Sequence, residues 1–166
     1  MPKEISPAEL QQEARAFRDG FATVLLATSD DNALPDASYS PCIVDADGRI
    51  AIFVSELASH TRNLFANPRA SLMFIADESA SRNLFARRRL ILAATAEHLS
   101  REHEDWAALM TQMRERHGNT IDLLMSLPDF HLFRFSVNGG TWVRGFGQAF
   151  TVLNSQLEIS AERRTR

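Results

Sequence analysis

Within SELASHTRNLFANPRASLMF, residues 55–74, five polar side chains stand in a row: Ser59, His60, Thr61, Arg62 and Asn63. Asn67-Pro68 follows. The spacing predicts a short helix through about Phe65, capped by Ser55 or Ser59. A helix start offers unpaired backbone N–H groups and the positive end of a dipole, so it can hold an anion. A lysine there would mark a phosphate site. The strong side chain is His60 instead, either hydrogen-bonded to backbone or facing a pocket. Arg62 lies two residues on, about 200° around the helix axis, and faces elsewhere.

The other candidates are scattered. Arg87-Arg88-Arg89 opens an apolar stretch, and alternation puts Arg87 and Arg89 on one face. By itself the triplet is a solvated cluster that discourages strand pairing. Asp129 follows Pro128 and reads as a turn or cap residue. His98, His103 and His117 fall on or beside a surface helix and are expected to be solvated. His131 could face surface or pocket. Cys42, the single cysteine, lies in an apolar run and reads as a buried thiol. It permits no intrachain disulfide and no cysteine-based zinc site. Dinucleotide, P-loop, HExxH and GxSxG motifs are all missing.

The elements that must position these groups follow from the apolar pattern. Ser6-Pro7-Ala8-Glu9 starts a helix whose Leu10, Ala14 and Phe17 recur at helical spacing until Gly20. Strands are expected at 21–28, 36–44, 49–54, 69–76 and 87–99, and 77–86 is a loop. Helices follow at about 100–117 and 120–127. Residues 130–137 and 141–153 read as a closing hairpin around Asn138-Gly139-Gly140. Strands in runs with short turns, not in alternation with helices, predict an α+β fold. The expected architecture is a six-stranded, mostly antiparallel barrel with flanking helices. One domain is expected over residues 1–153, with a disordered tail over 154–166 ending in Arg163-Arg164-Thr165-Arg166. A net charge of −3 gives no reason to expect nucleic acid. No apolar run reaches membrane-spanning length, and no signal-peptide core opens the chain, so a cytoplasmic protein is expected.

With this order of elements the chain resembles the split β-barrel superfamily of pyridoxamine phosphate oxidases and other flavin-binding proteins. The resemblance rests on Arg62-Asn63-Leu64, Asn67-Pro68 and the strand 70–75. Adding Ser55-Glu56-Leu57-Ala58-x-His60-Thr61-Arg62, Pro128-Asp129-Phe130-x-x-Phe133-Arg134 and Arg144-Gly145-Phe146-Gly147 makes it similar to the haem-utilisation branch, the HugZ-type proteins. That resemblance implies a homodimer with ligands in grooves between the two barrels. It also implies a site arginine, best matched by Arg89, and an aspartate that steers the iron's histidine ligand, matched by Asp129.

The resemblance leaves flavin mononucleotide (FMN) or haem as cofactor, and charge argues between them. Flavin-binding relatives hold the phosphate with basic residues near an early strand, yet 21–48 has no Lys or Arg and contains Asp30, Asp31, Asp36, Asp45 and Asp47. An FMN phosphate would have only Ser59, Thr61, Arg62 and backbone N–H groups. Haem needs an apolar slot, expected from Phe21, Val24, Tyr39, Pro41, Trp142 and Phe146, and cations for two propionates. The branch supplies its iron ligand from a C-terminal histidine, and 148–166 has none; His60 is the alternative metal ligand. The leading expectation is a haem-binding protein that supports haem degradation and iron utilisation, with an external electron donor. The alternatives are an FMN-dependent oxidoreductase and a non-catalytic haem or tetrapyrrole carrier.

Overall fold

The computed structural model describes residues 4–163. Helix α1 (Pro7–Asp19) begins with the expected capping box: the Ser6 hydroxyl accepts the Glu9 N–H, and the Glu9 carboxylate accepts the Ser6 N–H. Strands β1 (Thr23–Ser29), β2 (Pro35–Pro41), β3 (Ile43–Val44) and β4 (Ile50–Ser55) follow. Helix α2 (Ser59–Ala66) leads into β5 (Arg69–Ile75) and, after two 3-10 turns, into β6 (Arg89–Leu99). Helices α3 (Trp106–His117) and α4 (Thr120–Met125) precede β7 (Phe130–Gly145), β8 (Gln148–Val152) and β9 (Ile159–Arg163).

The strands pair antiparallel in the order β2-β1-β5-β6-β7-β4-β3, with β8 and β9 added beside β7. The two ends of this path, β2 and β3, are separated in the chain only by Cys42. The sheet therefore has to curl back on itself, which makes an α+β split barrel. Its interior is filled by Leu26, Ile52, Leu72, Leu92, Phe135 and Trp142, all 2 % exposed or less. Each such side chain contributes about 1.5–3 kcal/mol of burial. A second cluster lies outside the barrel wall, where Phe53 and Leu132 meet Leu109, Met110 and Met113 of α3. Strand β4 is covered on both faces, which is why Ile50–Val54 is apolar without alternation.

Nine strands are described, against the seven segments and six-stranded barrel expected. The strand expected over 36–44 breaks at Cys42, whose N–H bonds the Ala22 carbonyl. No hairpin forms at Asn138-Gly139-Gly140, because β7 runs straight through it. A Cβ on Gly140 would lie 2.2 Å from the Ile91 carbonyl oxygen, so glycine there permits close strand approach, next to a bulge in the β6–β7 ladder. The turn comes later, at Gly147, with φ +67°. The expected loop 77–86 carries the 3-10 turns Glu78–Ala80 and Leu84–Ala86. Helix α3 starts at Trp106, not at Ser100.

Residues 154–163 form a turn and β9 instead of a loose tail. Leu157 is fully buried and Ile159 nearly so. Arg18, itself 4 % exposed, donates to the carbonyls of Gly48 and Ser155. Gly48, at φ +81°, packs so closely on this turn that a Cβ would sit 2.2 Å from Ser155 O. Two apolar anchors and a buried guanidinium outweigh the polar composition. Residues 164–166 of the expected tail lie outside the described residues. Among the described residues no helix is long and apolar enough to cross a membrane.

Candidate functional site

The first turn of α2 sits on the ends of β1 and β2. Its N-cap is Ala58, without a side-chain cap; Ser59 is the first helical residue and is exposed. His60 is 8 % exposed, and its Nδ1 lies 2.9 Å from the Ser38 hydroxyl. If Nδ1–H donates to Ser38, the Nε2 lone pair is left free for a ligand. Burial holds the His60 pKa below the ordinary histidine value, opposed by the negative charge of Asp36. Thr61 is fully buried and donates to the Ser55 carbonyl at 2.6 Å. Asn63 donates to the Thr28 hydroxyl at 3.1 Å, tying α2 to β1. Arg62 turns back onto the carbonyls of Glu56 and Leu57.

Ser55 is the hub. It does not cap α2, as the sequence suggested it could. Its hydroxyl donates to Asp129 Oδ2 at 2.7 Å, and the Asp129 carbonyl accepts the Glu56 N–H at 2.9 Å. Strand β4, the α2 turn and the start of β7 are locked together here. Asp129, expected from sequence alone as a turn residue, clamps two elements that are distant in the chain.

The remaining expected residues lie elsewhere. Arg89 begins β6 and pairs in register with Ile75 and Val143, while Asp129 stands at the opposite end of β7. Arg89 Nη1 donates to the Arg87 carbonyl. Arg87 bonds the Ala76 carbonyl, and Arg88 lies over the rings of Phe17 and Trp142. The triplet is thus neither wholly solvated nor a single cationic cluster. Tyr39 (64 % exposed) and Leu25 (40 %) head a row that continues through Met73 and Ile91 across the outer sheet face. Phe146 is exposed at the tip of the β7–β8 turn.

The apolar slot expected from Phe21, Val24, Tyr39, Pro41, Trp142 and Phe146 does not form. Trp142 and Val24 are sealed in the barrel core, where Trp142 packs on Phe17 at 4.8 Å. Alternation decides this: Leu90, the register partner of Trp142, faces inward. Tyr39 and Phe146 stay outside. A cleft of about 540 Å³ between α1, α3 and the β3–β4 hairpin is lined by Phe21, with Arg18 and Cys42, and by none of the other expected site residues. Burial pushes the Cys42 thiol up to about 12, so it is inert as a nucleophile.

The other histidines find partners. His98 lies in β6, within the strand expected over 87–99, is exposed and contacts His131. His117 bonds the Cys42 carbonyl. His103 accepts the Asp105 N–H. The only signal for the His98–His131 contact is their placement on neighbouring strands, which needs the β6–β7 register.

A model of the pyridoxamine 5'-phosphate oxidase family matches residues 10–143. This chain belongs to that family. Heme oxygenase HutZ from Vibrio cholerae is 41 % identical over 148 residues, which span 89 % of this chain and 84 % of HutZ. A crystal structure of HutZ, described there as the heme storage protein, superimposes with a TM-score of 0.71 over 76 % of this chain and 88 % of that one. ChuZ from Campylobacter jejuni gives 0.83 at 28 % identity, covering 98 % of this chain and 67 % of ChuZ. A heme binding protein from Mycobacterium smegmatis gives 0.76 at 26 % identity, covering 91 % and 59 %. Within this pyridoxamine 5'-phosphate oxidase-like family the chain is of the HugZ type.

In a split barrel of this family the α2 start would be the place for a flavin phosphate. Here Arg62 Nη1 serves two backbone carbonyls and Thr61 a third. The dianion would be left with the exposed Ser59 hydroxyl, backbone N–H groups and the remaining N–H groups of Arg62. Haem asks for less at this point: a nitrogen ligand or polar neighbour, cations near its edge and apolar cover.

Proposed function

We propose that this chain binds haem and supports its degradation, as a homodimer supplied with electrons from outside. The observation that carries the reading is at the α2 turn: His60 is buried and keeps Nε2 without a partner among the described residues, while the Thr61 hydroxyl and Arg62 Nη1 bond backbone carbonyls. The relatives named heme oxygenase, heme storage protein and heme binding protein support it.

The outer sheet face supports a haem site completed by a second copy of the chain. Tyr39, Leu25, Met73 and Ile91 form an apolar row with Arg89 at its edge. A second copy packed by two-fold symmetry on this face would cover the row and bring the α2 turn of one barrel towards Arg89 of the other. His60 would face the ring, Arg89 would pair a propionate with the N–H groups it does not spend on Arg87, and Tyr39 would cover an apolar ring face. Asp129 and Ser55 would hold the α2 turn in place. Haem iron, when bound, supplies oxygen activation; the protein orients the ring and limits water.

Haemin titration of the dimer, followed optically, tests this. Saturable binding that weakens in His60→Ala and Arg89→Ala is expected, with FMN binding far weaker. Ascorbate and oxygen should then bleach the porphyrin band and release iron. A purified protein that is yellow and keeps FMN through gel filtration would overturn the proposal. A second reading, a carrier without turnover, is favoured by one observation: Asp129 holds Ser55, with no imidazole on its carboxylate among the described residues. Intact porphyrin after the same incubation would select it.

A further inference from the structure

Strands β6 and β7 and the turn that follows β4 place His98, His131 and Glu56 side by side. Phe133 pairs with His98 across β6–β7, so His131, two residues earlier, is its diagonal neighbour. Val54 pairs with His131 across β4–β7, so Glu56, two residues later, is the next diagonal. Diagonal cross-strand neighbours are within reach of long side chains. His98 Nε2 lies 3.2 Å from His131 Nδ1, and His131 Nε2 lies 2.7 Å from Glu56 Oε1. Nothing in the haem reading uses this row.

The carboxylate sets the chemistry. Glu56 can only accept, so a neutral His131 carries its proton on Nε2 and turns an Nδ1 lone pair towards His98. This is the arrangement by which a carboxylate fixes the tautomer of a metal-binding histidine. A tetrahedral zinc with Zn–N bonds of about 2.0–2.1 Å needs its two nitrogens about 3.3 Å apart. The observed spacing of 3.2 Å matches that edge. Phe65 packs edge-on against both imidazoles at 5.0 Å, and Phe133 lies 5.4 Å from His98. The rings are thus held from one side while the other is open to solvent.

We propose that His98 and His131 form a two-imidazole site for a borderline divalent cation of the zinc type, with Glu56 orienting His131. Without metal, His98 Nε2–H donates to His131 Nδ1. Binding requires that His98 move its proton to Nδ1 through solvent and that the two rings tilt so that both lone pairs meet at one cation. Among the described residues no group of three histidines, cysteines or carboxylates converges on one point, so water completes the coordination.

Calorimetric titration of the chain with Zn²⁺ in a non-chelating buffer, with and without haem, tests the site. One zinc per chain is expected in both cases. Binding is lost in His98→Gln and in His131→Gln, is about tenfold or more weaker in Glu56→Gln, and is unchanged in His103→Gln. Histidine-selective NMR on the unaltered chain guards against misfolded variants: zinc must shift His98 Nε2 and His131 Nδ1. No binding to the unaltered chain, unchanged stoichiometry in both histidine variants, or zinc shifts confined to other histidines would each overturn the proposal. Loss of haem binding with zinc retained would sink the haem reading alone.

Discussion

Removing one hydroxyl, in Ser55→Ala, should loosen the whole candidate site. The Ser55 hydroxyl donates to Asp129 Oδ2 at 2.7 Å and accepts the Leu57 N–H at 3.1 Å. A hydrogen bond to a carboxylate contributes about 1.5–3 kcal/mol when shielded. Asp129 is only half-buried, and the Leu57 amide can turn to water, so the net loss is about 1–2 kcal/mol after solvent screening. In a chain of this length each kcal/mol lowers Tm by about 2–4 °C. Asp129→Ala, which removes the acceptor, should cost about the same through the same contact. The test is a double-mutant cycle by urea unfolding, with haemin titration of all four proteins. A coupling of about 1 kcal/mol is expected, with haemin affinity reduced similarly in both single variants. Additivity within about 0.3 kcal/mol would refute the clamp, since groups that do not share a contact add.

Trp142→Ala should cost about 3–5 kcal/mol as a core truncation, measured by urea unfolding; weaker haemin binding with stability intact would put Trp142 back in the ligand slot. Gly48→Ala should free residues 153–163, because it meets both a positive φ and the Ser155 carbonyl; limited proteolysis should then cut there, and an uncut chain would show that the turn is not docked through Gly48. The folded pKa of His60 is depressed, so the unfolded chain takes up the proton first as pH falls. Stability should be level above pH 6.5, the unfolded value, and decline from there down to the folded pKa. Urea unfolding between about pH 8 and pH 5 should show a smaller decline in His60→Gln, and an equal decline would remove His60 as a contributor.

Much of the fold was legible because local chemistry and packing agree. The capping box at Ser6, the alternation in β5 and β6 and the uninterrupted apolar run of β4 each place one face or both against the core, and the antiparallel barrel follows from strands in runs. Glycine misled at 139–140, since a Gly-Gly pair signals a turn and a close strand approach equally. Composition misled at 154–163, since two apolar anchors among polar residues decide docking only if a groove awaits them.

By itself the sequence determined which groups exist and which local element each one rides: His60 on a short helix, Arg89 at a strand start, Asp129 beside a proline, and no basic residue in 21–48 to hold a phosphate. Tertiary structure alone decided which of them meet. Strand register puts Trp142 inside and Tyr39 outside, joins Asp129 to Ser55 across 74 positions, and sets His98 against His131 across 33. The reason is that hydrogen bonds and apolar contacts act over a few ångströms in space, whereas the sequence records only separation along the chain.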